Sequence, residues 1–291
     1  MKEQKLVLSN INSFELEHIF DCGQCFRWNK QENGSYIGVI KNGVMKVTKK
    51  DSDIIFEGIL NQDIQSIVYD YFDLGTDYEA YKKELSKIDD NMKKSIKFGY
   101  GIRILNQDLW EMIISFIISA NNNIPRIKGI IERISKKVGK KISWDGEEYY
   151  LFPTLDEMKT LSTADFRSLG CGFRDKRLYK TTQMILNGEI DLQTLKDADN
   201  TEAIRNELLK LDGVGEKVAD CIMLFALKRR DSFPIDVWVR RVMNTLYIHN
   251  EDETKVSKKD IQVTAKKLFG NNAGVAQQYL FYWARSSGRF D

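Results

Sequence analysis

The feature that most constrains the fold is a change in the period of the apolar residues near residue 62. Before it, runs of β-branched and aromatic residues predict short strands: FRWN, SYIGVI, MKVTK and DIIFEGI. Asn33-Gly34 and Asn42-Gly43 lie between runs and are strong signals for tight hairpins. After it, the apolar residues recur with a helical period, as in LWEMIISFIISA and IPRIKGIIERISKKV. The sequence therefore predicts an α+β protein with an N-terminal antiparallel sheet and a helical remainder.

We divide the chain into two regions on this basis. Residues 1–98 are predicted to form the N-terminal antiparallel sheet domain with flanking helices. Residues 99–291 are predicted to form two interleaved, mainly α-helical subdomains. The chain has 291 residues, enough to bury more than one core. It has only three prolines, so long helices meet few interruptions.

The apolar content gives no sign of a membrane protein. Hydrophobic residues make up 42% and charged residues 30% of the chain, as in an ordinary globular protein. The N-terminal segment turns polar before an apolar signal-peptide core can form, and the longest apolar stretch, near 112–120, is too short to span a bilayer. We expect a cytoplasmic monomer.

The cysteines do not form a metal-binding pattern. Cys22 and Cys25 have CxxC spacing, but no second such pair and no close histidine follows, so a structural zinc site lacks ligands. Four closely spaced cysteines for an iron–sulfur cluster are also missing from the sequence. We therefore expect neither zinc, nor an iron–sulfur cluster, nor another cofactor.

The charge is almost balanced overall but uneven along the chain. The net charge of +2 does not by itself indicate a nucleic-acid partner. Between residues 121 and 141, however, one acid, Glu132, is set against seven basic residues: Arg126, Lys128, Arg133, Lys136, Lys137, Lys140 and Lys141. This run is either a solvated helix face or a surface that faces phosphates.

The stretch LDGVGEKVADC predicts a helix-hairpin-helix motif at about 203–228. A helix, EAIRNELLKL, is followed by a short turn that contains Gly213, Val214 and Gly215, and then by a second helix. The glycines permit positive φ and leave backbone N–H groups uncovered at the start of the second helix. Such a helix start can bind a DNA phosphate without reading sequence, although glycine turns between helices also occur in proteins that do not bind DNA.

Lys217 and Asp236 are the candidate catalytic pair. Lys217 lies in the first turn of the second helix, among apolar neighbours, and Asp236 follows Pro234 at the start of a later helix. A lysine near apolar groups at a positive helix start is more easily neutral, and therefore nucleophilic. A carboxylate can stabilise a cationic sugar. On the residues alone, a surface lysine and a helix N-cap aspartate remain alternatives.

Five motifs, in this order, resemble the helix-hairpin-helix DNA glycosylases that carry a Gly/Pro-rich loop and an Asp, above all the 8-oxoguanine DNA glycosylase/AP lyases. They are CGQCFRW, SFIISANNNIPRI, LGCGFRDKR, LDGVGEKVADCIM with FPIDVWVRR, and NNAGVAQQYLF. The resemblance covers most of the chain. It implies a small antiparallel sheet and two helical domains with a DNA cleft between them. It also implies double-stranded DNA with 8-oxoguanine as the partner, excision through a Schiff base on Lys217 assisted by Asp236, and strand nicking by β-elimination.

The resemblance also implies a pocket for a base flipped out of the helix. The backbone carbonyl of Gly23 accepts a hydrogen bond from N7–H, which 8-oxoguanine has and guanine lacks. Cys221 and Phe281 sandwich the base, Gln277 bonds its Watson–Crick edge, and Pro234 belongs to the same base-recognition site. For Phe281, plain core packing remains an alternative.

A second set of residues is implied for the space that the flipped base leaves. Asn121 fills this space, Arg126 and Arg174 contact the estranged cytosine, and Phe173 wedges into the stack. Arginine donors suit the acceptors of cytosine, and an aromatic ring suits stacking. The three asparagines at 121–123 are equally good punctuation at the end of a helix.

The chain departs from the eukaryotic members of the family at two positions. Phe173 stands in place of Tyr, and Trp238 stands in place of a His that lies near a phosphate. Trp offers a single N–H donor, which puts that contact in doubt. By resemblance, the hairpin carbonyls of Leu209, Leu211 and Val214 can hold a cation, for which backbone atoms leave no sequence signal.

The same residues suggest three alternative functions. A DNA-binding module without catalysis has no need of Lys217 or Asp236. A monofunctional alkylbase glycosylase keeps the Asp and lacks the Lys. The iron–sulfur branch that acts on oxidised pyrimidines needs the missing cysteine cluster. A repair enzyme that prefers 8-oxoguanine opposite cytosine is therefore expected, associated with the nucleoid if the source is a bacterium or an archaeon.

Overall fold

The N-terminal part is a five-stranded antiparallel sheet in the computed structural model, which describes residues 1–288. The strand order is β1-β5-β4-β3-β2. The strands are β1 (Lys2–Ser9), β2 (Trp28–Lys30), β3 (Tyr36–Ile40), β4 (Gly43–Lys50) and β5 (Asp53–Leu60). Four of them match the predicted runs. The strand β1 was missed, because its exposed and half-buried residues alternate at the edge of the sheet without an apolar run.

The turn between β3 and β4 differs from the prediction by one residue. Ile40 pairs with Gly43, so the two turn residues are Lys41 and Asn42. Gly43 has a φ of +146°, and a Cβ atom there would lie 2.0 Å from the carbonyl oxygen of Ile59 on β5. The glycine therefore serves the close approach of two strands, which the Asn-Gly pattern alone did not indicate.

The rest of the described chain is mainly helical. The helices are α1 (Leu16–Phe20), α2 (Ile64–Tyr71), α3 (Tyr78–Leu85), α4 (Asp90–Phe98), α5 (Leu109–Ser119), α6 (Ile124–Val138), α7 (Leu155–Met158), α8 (Thr163–Phe166), α9 (Asp175–Leu186), α10 (Leu192–Asp197), α11 (Thr201–Leu208), α12 (Glu216–Ala226), α13 (Val237–Met243), α14 (Lys258–Phe269) and α15 (Ala273–Ser286). A π turn (Arg167–Cys171) and a 3₁₀ turn (Gly172–Arg174) precede α9.

A β-hairpin interrupts the helical region and was not predicted. Its strands are β6 (Lys141–Trp144) and β7 (Glu147–Tyr150). The turn residues Asp145 and Gly146 both have positive φ, at +52° and +78°. An Asp-Gly pair between strand-like segments is a strong hairpin signal, so the sequence contained this information.

Two apolar cores organise the fold. One lies between the five-stranded sheet and α1 and α2, and the other lies among the helices. Every residue of α5 from Leu109 to Ile118 is buried, and α5 packs against α12. The helix α15 packs against α4, α13 and α14. The helices that carry Lys217, Asp236 and Phe281 are therefore fixed by burial. The predicted boundary between residues 1–98 and 99–291 stays a prediction.

A buried glutamine joins the two parts of the chain. Gln24 has no exposed surface, and its Nε2 donates 2.8 Å hydrogen bonds to the carbonyls of Ile19 and Arg103. Its Oε1 accepts from the backbone N–H of Leu105 at 2.9 Å. The segment next to Gly23 is thereby held against the irregular segment that leads into α5.

Candidate active site and DNA-facing surface

The helix-hairpin-helix is present, formed by α11, a short turn and α12. Gly213 has a φ of +88°, and a Cβ atom there would lie 3.2 Å from Ile117 of α5. Val214 is buried, and its N–H donates to the carbonyl of Leu211 at 3.1 Å. Gly215, the N-cap of α12, is exposed and supplies no side-chain cap. The hairpin is thus packed against α5 on one side, and the start of α12 is exposed on the other side, as a phosphate site requires.

The arrangement of the hairpin carbonyls does not test the predicted cation site. Leu211 already accepts the Val214 N–H, and the Leu209 side chain is exposed. Within residues 1–288, no group of three or more His, Cys, Asp or Glu side chains is placed to hold a metal ion. The cation and the expected lack of cofactors both stay predictions.

Lys217 is half-buried on the first turn of α12 and lies over an aromatic ring. Its Nζ is 5.2 Å from the centroid of Phe116 on α5. It lies one helical turn before the buried thiol of Cys221. Burial raises the pKa of this thiol to about 11, against the effects of the Lys217 charge and of a hydrogen bond to Lys217. The amine and the thiol therefore face the same space.

Asp236 is the N-cap of α13, and it also faces Lys217. Its carboxylate accepts the backbone N–H of Val239 at 2.8 Å. Burial raises the pKa of this carboxyl, and the Val239 N–H, the Lys217 charge and the Trp238 N–H oppose that rise. Asp236 is therefore an N-cap, as one interpretation of the sequence predicted. Its carboxylate also interacts with Lys217.

Gly23 and Phe281 form one wall of the predicted base pocket. Gly23 has a φ of +80°, and a Cβ atom there would lie 2.9 Å from Cε1 of Phe281. Phe281 is half-buried and packs at the edge of the helical core. A side chain at position 23 would therefore strike the ring that is expected to stack on the base.

Gln277 lies one turn before Phe281 on α15 and is held by the Pro234 loop. The Gln277 side chain is buried, and its Nε2 donates to the carbonyl of Pro234 at 3.2 Å. Its Oε1 accepts from Nε2 of Gln278 at 2.8 Å. The loop that precedes Asp236 thus positions the amide that is expected to read the base edge.

The residues predicted to face the vacated stack are brought together beyond the end of α5. Asn121 is exposed with a φ of +51°. The Arg174 guanidinium donates to the carbonyls of Asn121, at 2.7 Å, and Ala120, at 2.9 Å. Phe173 is 55% exposed, with the Arg174 guanidinium 4.2 Å from its ring centroid. An exposed aromatic ring thus stands beside a strained turn that Arg174 holds in place.

Arg126 and Arg174 differ in how accessible they are. Arg126 is exposed on the first turn of α6, and its guanidinium reaches to 3.9 Å from where a Cβ atom on Gly172 would lie. Arg174 is only 2% exposed, and its Nη1 also donates to the Cys171 carbonyl. Positioning of the Asn121 turn is a role of Arg174 that the sequence did not reveal, because carbonyl partners carry no side-chain signal. Its contact with cytosine stays a prediction.

Trp238 is half-buried next to Asp236, with the Arg241 guanidinium 5.2 Å from the centroid of its ring system. Its contact with a phosphate stays a prediction. The four cysteines are free and buried, and burial raises the pKa of Cys22 to about 12. The helices formed by residues 1–288 include none that is both long enough and apolar enough to cross a bilayer.

The sequence analysis missed Arg285, which lies on the same face of α15 as Phe281. Its guanidinium carbon is 5.9 Å from the Phe281 ring centroid. Its charge also acts on the Asp236 carboxyl. The spacing of four residues from Phe281 and eight from Gln277 is the signal that could have found it.

Comparisons with known proteins agree with this geometry. Residues 6–113 match the family model "8-oxoguanine DNA glycosylase, N-terminal domain", and residues 114–268 match "HhH-GPD superfamily base excision DNA repair protein". A probable N-glycosylase/DNA lyase of Methanothermobacter thermautotrophicus is 33% identical over 240 residues, which are 76% of this chain and 74% of the relative. The N-glycosylase/DNA lyase of Saccharomyces cerevisiae is 31% identical, over 88% of this chain and 71% of its own.

A solved structure is similar over nearly the whole chain. The Clostridium acetobutylicum 8-oxoguanine glycosylase/lyase, in complex with double-stranded DNA containing cytosine opposite 8-oxoguanine, has a TM-score of 0.93 and 45% identity, covering 98% of this chain and 97% of its own. The chain therefore belongs to the HhH-GPD superfamily of base excision DNA repair proteins, and within it to the 8-oxoguanine DNA glycosylase/lyase family. The predicted fold class and the predicted enzyme class, a DNA glycosylase/AP lyase, are confirmed.

Two glycines with the same backbone conformation give a test of the pocket wall. Gly23 and Gly34 both have a φ of +80°, but a Cβ atom at Gly34 would meet nothing within 4 Å. Changing either to Ala should destabilise the fold by about 1–2 kcal/mol through backbone strain. Only Gly23→Ala should also displace Phe281, and we expect excision of 8-oxoguanine to slow on the order of 100-fold.

The measurements are urea unfolding and single-turnover excision on a duplex with 8-oxoguanine opposite cytosine. Equal excision rates for the two variants would show that Gly23 does not shape the pocket.

Proposed function

We propose that this protein flips 8-oxoguanine out of duplex DNA, cleaves its glycosidic bond through a Schiff base on Lys217, and nicks the strand by β-elimination. The observation that carries this proposal is the placement of Lys217 and Asp236. The Lys217 Nζ lies 5.2 Å from the Phe116 ring centroid, one helical turn before the buried Cys221. The Val239 N–H fixes the Asp236 carboxylate, whose pKa is raised by burial and lowered by the Lys217 charge. Double-stranded DNA that contains the lesion is the proposed partner.

The chemistry begins at C1′ of the flipped nucleotide. The neutral amine of Lys217 attacks C1′, and the bond from C1′ to the base breaks, with its electron pair leaving on the base. The ionised Asp236 carboxylate stabilises the positive charge that develops on the sugar. Transfer of a proton from the nitrogen to O4′ opens the sugar ring and gives the protonated Schiff base, while the departing base takes a proton from water. The positive charge of the Schiff base acidifies the C2′ proton. Removal of that proton expels the 3′ phosphate and nicks the strand.

The base is read on several edges in this scheme. The carbonyl of Gly23 accepts from N7–H, and Phe281 and Cys221 lie against the two faces. The Gln277 amide, which the Pro234 carbonyl already orients, contacts the Watson–Crick edge. Lesion recognition then depends on the Gly23 backbone, whose neighbours Cys22 and Gln24 are buried, and on the buried Gln277 amide, and both therefore have little freedom to move.

The preference for cytosine opposite the lesion comes from the other side of the cleft. Arg126 and Arg174 offer donors to the O2 and N3 acceptors of an unpaired cytosine, whereas adenine would present its N6 amino group. Asn121 fills the vacated space, and the exposed Phe173 ring inserts into the stack. The related Clostridium acetobutylicum enzyme was solved with cytosine opposite 8-oxoguanine, which supports this part of the proposal.

Lys217→Gln should abolish excision and borohydride trapping but retain binding to lesion DNA, because the hairpin amides and the basic face remain. The matched control is Lys210→Gln, which removes the same charge from an exposed residue of the same motif that pairs with Glu207. Trapping by borohydride and a gel-shift titration measure the two properties. A Lys217→Gln protein that still traps DNA would remove this lysine from the mechanism.

Asp236→Asn should slow excision by about 100- to 1,000-fold with little change in stability, because Asn is as good an N-cap as Asp. The control is Asp63→Asn, the same change at the N-cap of α2, where Asp63 accepts the Ser66 N–H. Burial raises the pKa of Asp236, so wild-type excision should fall on acidification at a pH above the ordinary carboxyl range. Excision rates against pH measure both effects, and normal excision by Asp236→Asn would leave this residue with its N-cap role alone.

Arg126→Met should relax the preference for cytosine without abolishing excision, since the chemistry lies across the cleft. The loss of a charged donor costs about 1.5–3 kcal/mol, or roughly ten- to a hundredfold in discrimination. Lys137→Met on the exposed part of α6 is the control for lost charge. Single-turnover rates against the four opposing bases give the profile. If the profiles of Arg126→Met and wild type coincide, Arg126 belongs only to the basic face.

A further inference from the structure

Arg285 lies on the wall of the base pocket. It is exposed on the last turn of α15, and its guanidinium carbon is 5.9 Å from the ring centroid of Phe281. A Cβ atom placed on Gly23 would lie 3.5 Å from the Arg285 Nη1. The guanidinium therefore faces the Gly23 backbone and the stacking ring together.

Arg285 also faces the catalytic side of the pocket. Burial raises the pKa of the Asp236 carboxyl, and the positive charge of Arg285 is one of the groups that oppose this rise. The same charge acts on Cys22, the neighbour of Gly23. Arg285 thus lies beside the segment at Gly23, and its charge acts on the carboxylate at the start of α13.

The Gly23 segment and the Asp236 carboxylate face neighbouring parts of the same flipped base. In the proposed function, N7–H points at the carbonyl of Gly23, and C1′, attached to N9, lies beside Lys217 and Asp236. C8 is the ring atom between N7 and N9, so its carbonyl oxygen projects from the edge between the two contacts. A side chain that faces both Gly23 and Asp236 consequently faces O8. This oxygen is an acceptor, and a guanidinium has only donors.

We propose that Arg285 donates a hydrogen bond to O8 of the flipped base. The lesion would then be read at both of its new atoms, N7–H by Gly23 and O8 by Arg285. This inference rests on the proposed function. A guanidinium also suits a DNA phosphate, but the proximity of Nη1 to Gly23 and of the guanidinium to Phe281, which form the pocket wall, favours the base.

Binding measurements in the Lys217→Gln background separate the two contacts, because the lesion stays intact. Arg285→Met removes the donors and keeps the side-chain length, and Arg285→Lys keeps the charge. Lys5→Met, at an exposed ion pair on the edge of the sheet, controls for loss of one charge. The probes are three duplexes that differ at one nucleotide: 8-oxoguanine, guanine and a tetrahydrofuran abasic analogue, each opposite cytosine.

We expect Arg285→Met to weaken binding to the 8-oxoguanine duplex by roughly 10- to 100-fold more than binding to the other two. Arg285→Lys should recover part of this difference, and Lys5→Met should change all three affinities by less than about twofold. Equal weakening on the abasic duplex would assign Arg285 to a phosphate, and unchanged affinities would leave it a surface residue. Either result overturns the inference.

The proposed function is tested separately by the Lys217→Gln parent alone. A parent that does not distinguish 8-oxoguanine from guanine overturns the proposed function itself, before any Arg285 variant is considered.

Discussion

The hydrogen bonds of Gln24 are the constraint on which the site depends. Its amide joins the segment between α1 and β2 to the carbonyl of Arg103 and the N–H of Leu105. Two residues further on, Gln107 returns a side-chain hydrogen bond to the Gln24 carbonyl, and its N–H donates to the Phe225 carbonyl of α12. Burial keeps water from competing for these groups, so breaking any of them leaves a donor or acceptor unpaired. The loop that contains Gly23 is therefore tied to the helix that carries Lys217.

Structural and functional roles coincide in several residues of this site and are not alternatives. Asp236 caps α13 through the Val239 N–H, and this bond fixes the carboxylate that faces Lys217. Arg174 is nearly fully buried because it holds the carbonyls at the end of α5, and this places the exposed Phe173 ring next to the Asn121 turn. A rigid carboxylate or ring loses less freedom when DNA binds. The capping and packing that a sequence shows are thus part of how the site is preorganised.

The sequence predicts those structural features that leave a pattern in its residue types. The strand runs and the helical period are patterns of residue types, and the turn is marked by its glycines, Gly213 and Gly215. The α+β architecture and the helix-hairpin-helix were therefore predictable from the sequence. The edge strand β1 and the short strands β6 and β7 are largely exposed, so burial imposes no strong apolar period on them, and only the Asp145-Gly146 turn indicated the second hairpin. The role of Arg174 depends on backbone carbonyls, and the position of Arg285 depends on tertiary packing between α15 and the Gly23 segment. The first arrangement leaves no local pattern in the sequence, and the second leaves only the helical spacing of Arg285 from Phe281 and Gln277.

In the proposed mechanism, the Lys217 amine and the Cys221 thiol lie side by side and only the amine reacts. A thiolate is the stronger nucleophile of the two classes, so an ionised Cys221 would compete with Lys217 for C1′. Burial prevents this by raising the pKa of Cys221 to about 11, so the thiol stays protonated at neutral pH. The neutral sulfur then serves as a polarisable surface for the base. The apolar packing of α12 against α5, which half-buries Lys217, also buries its neighbour Cys221 and keeps that thiol protonated.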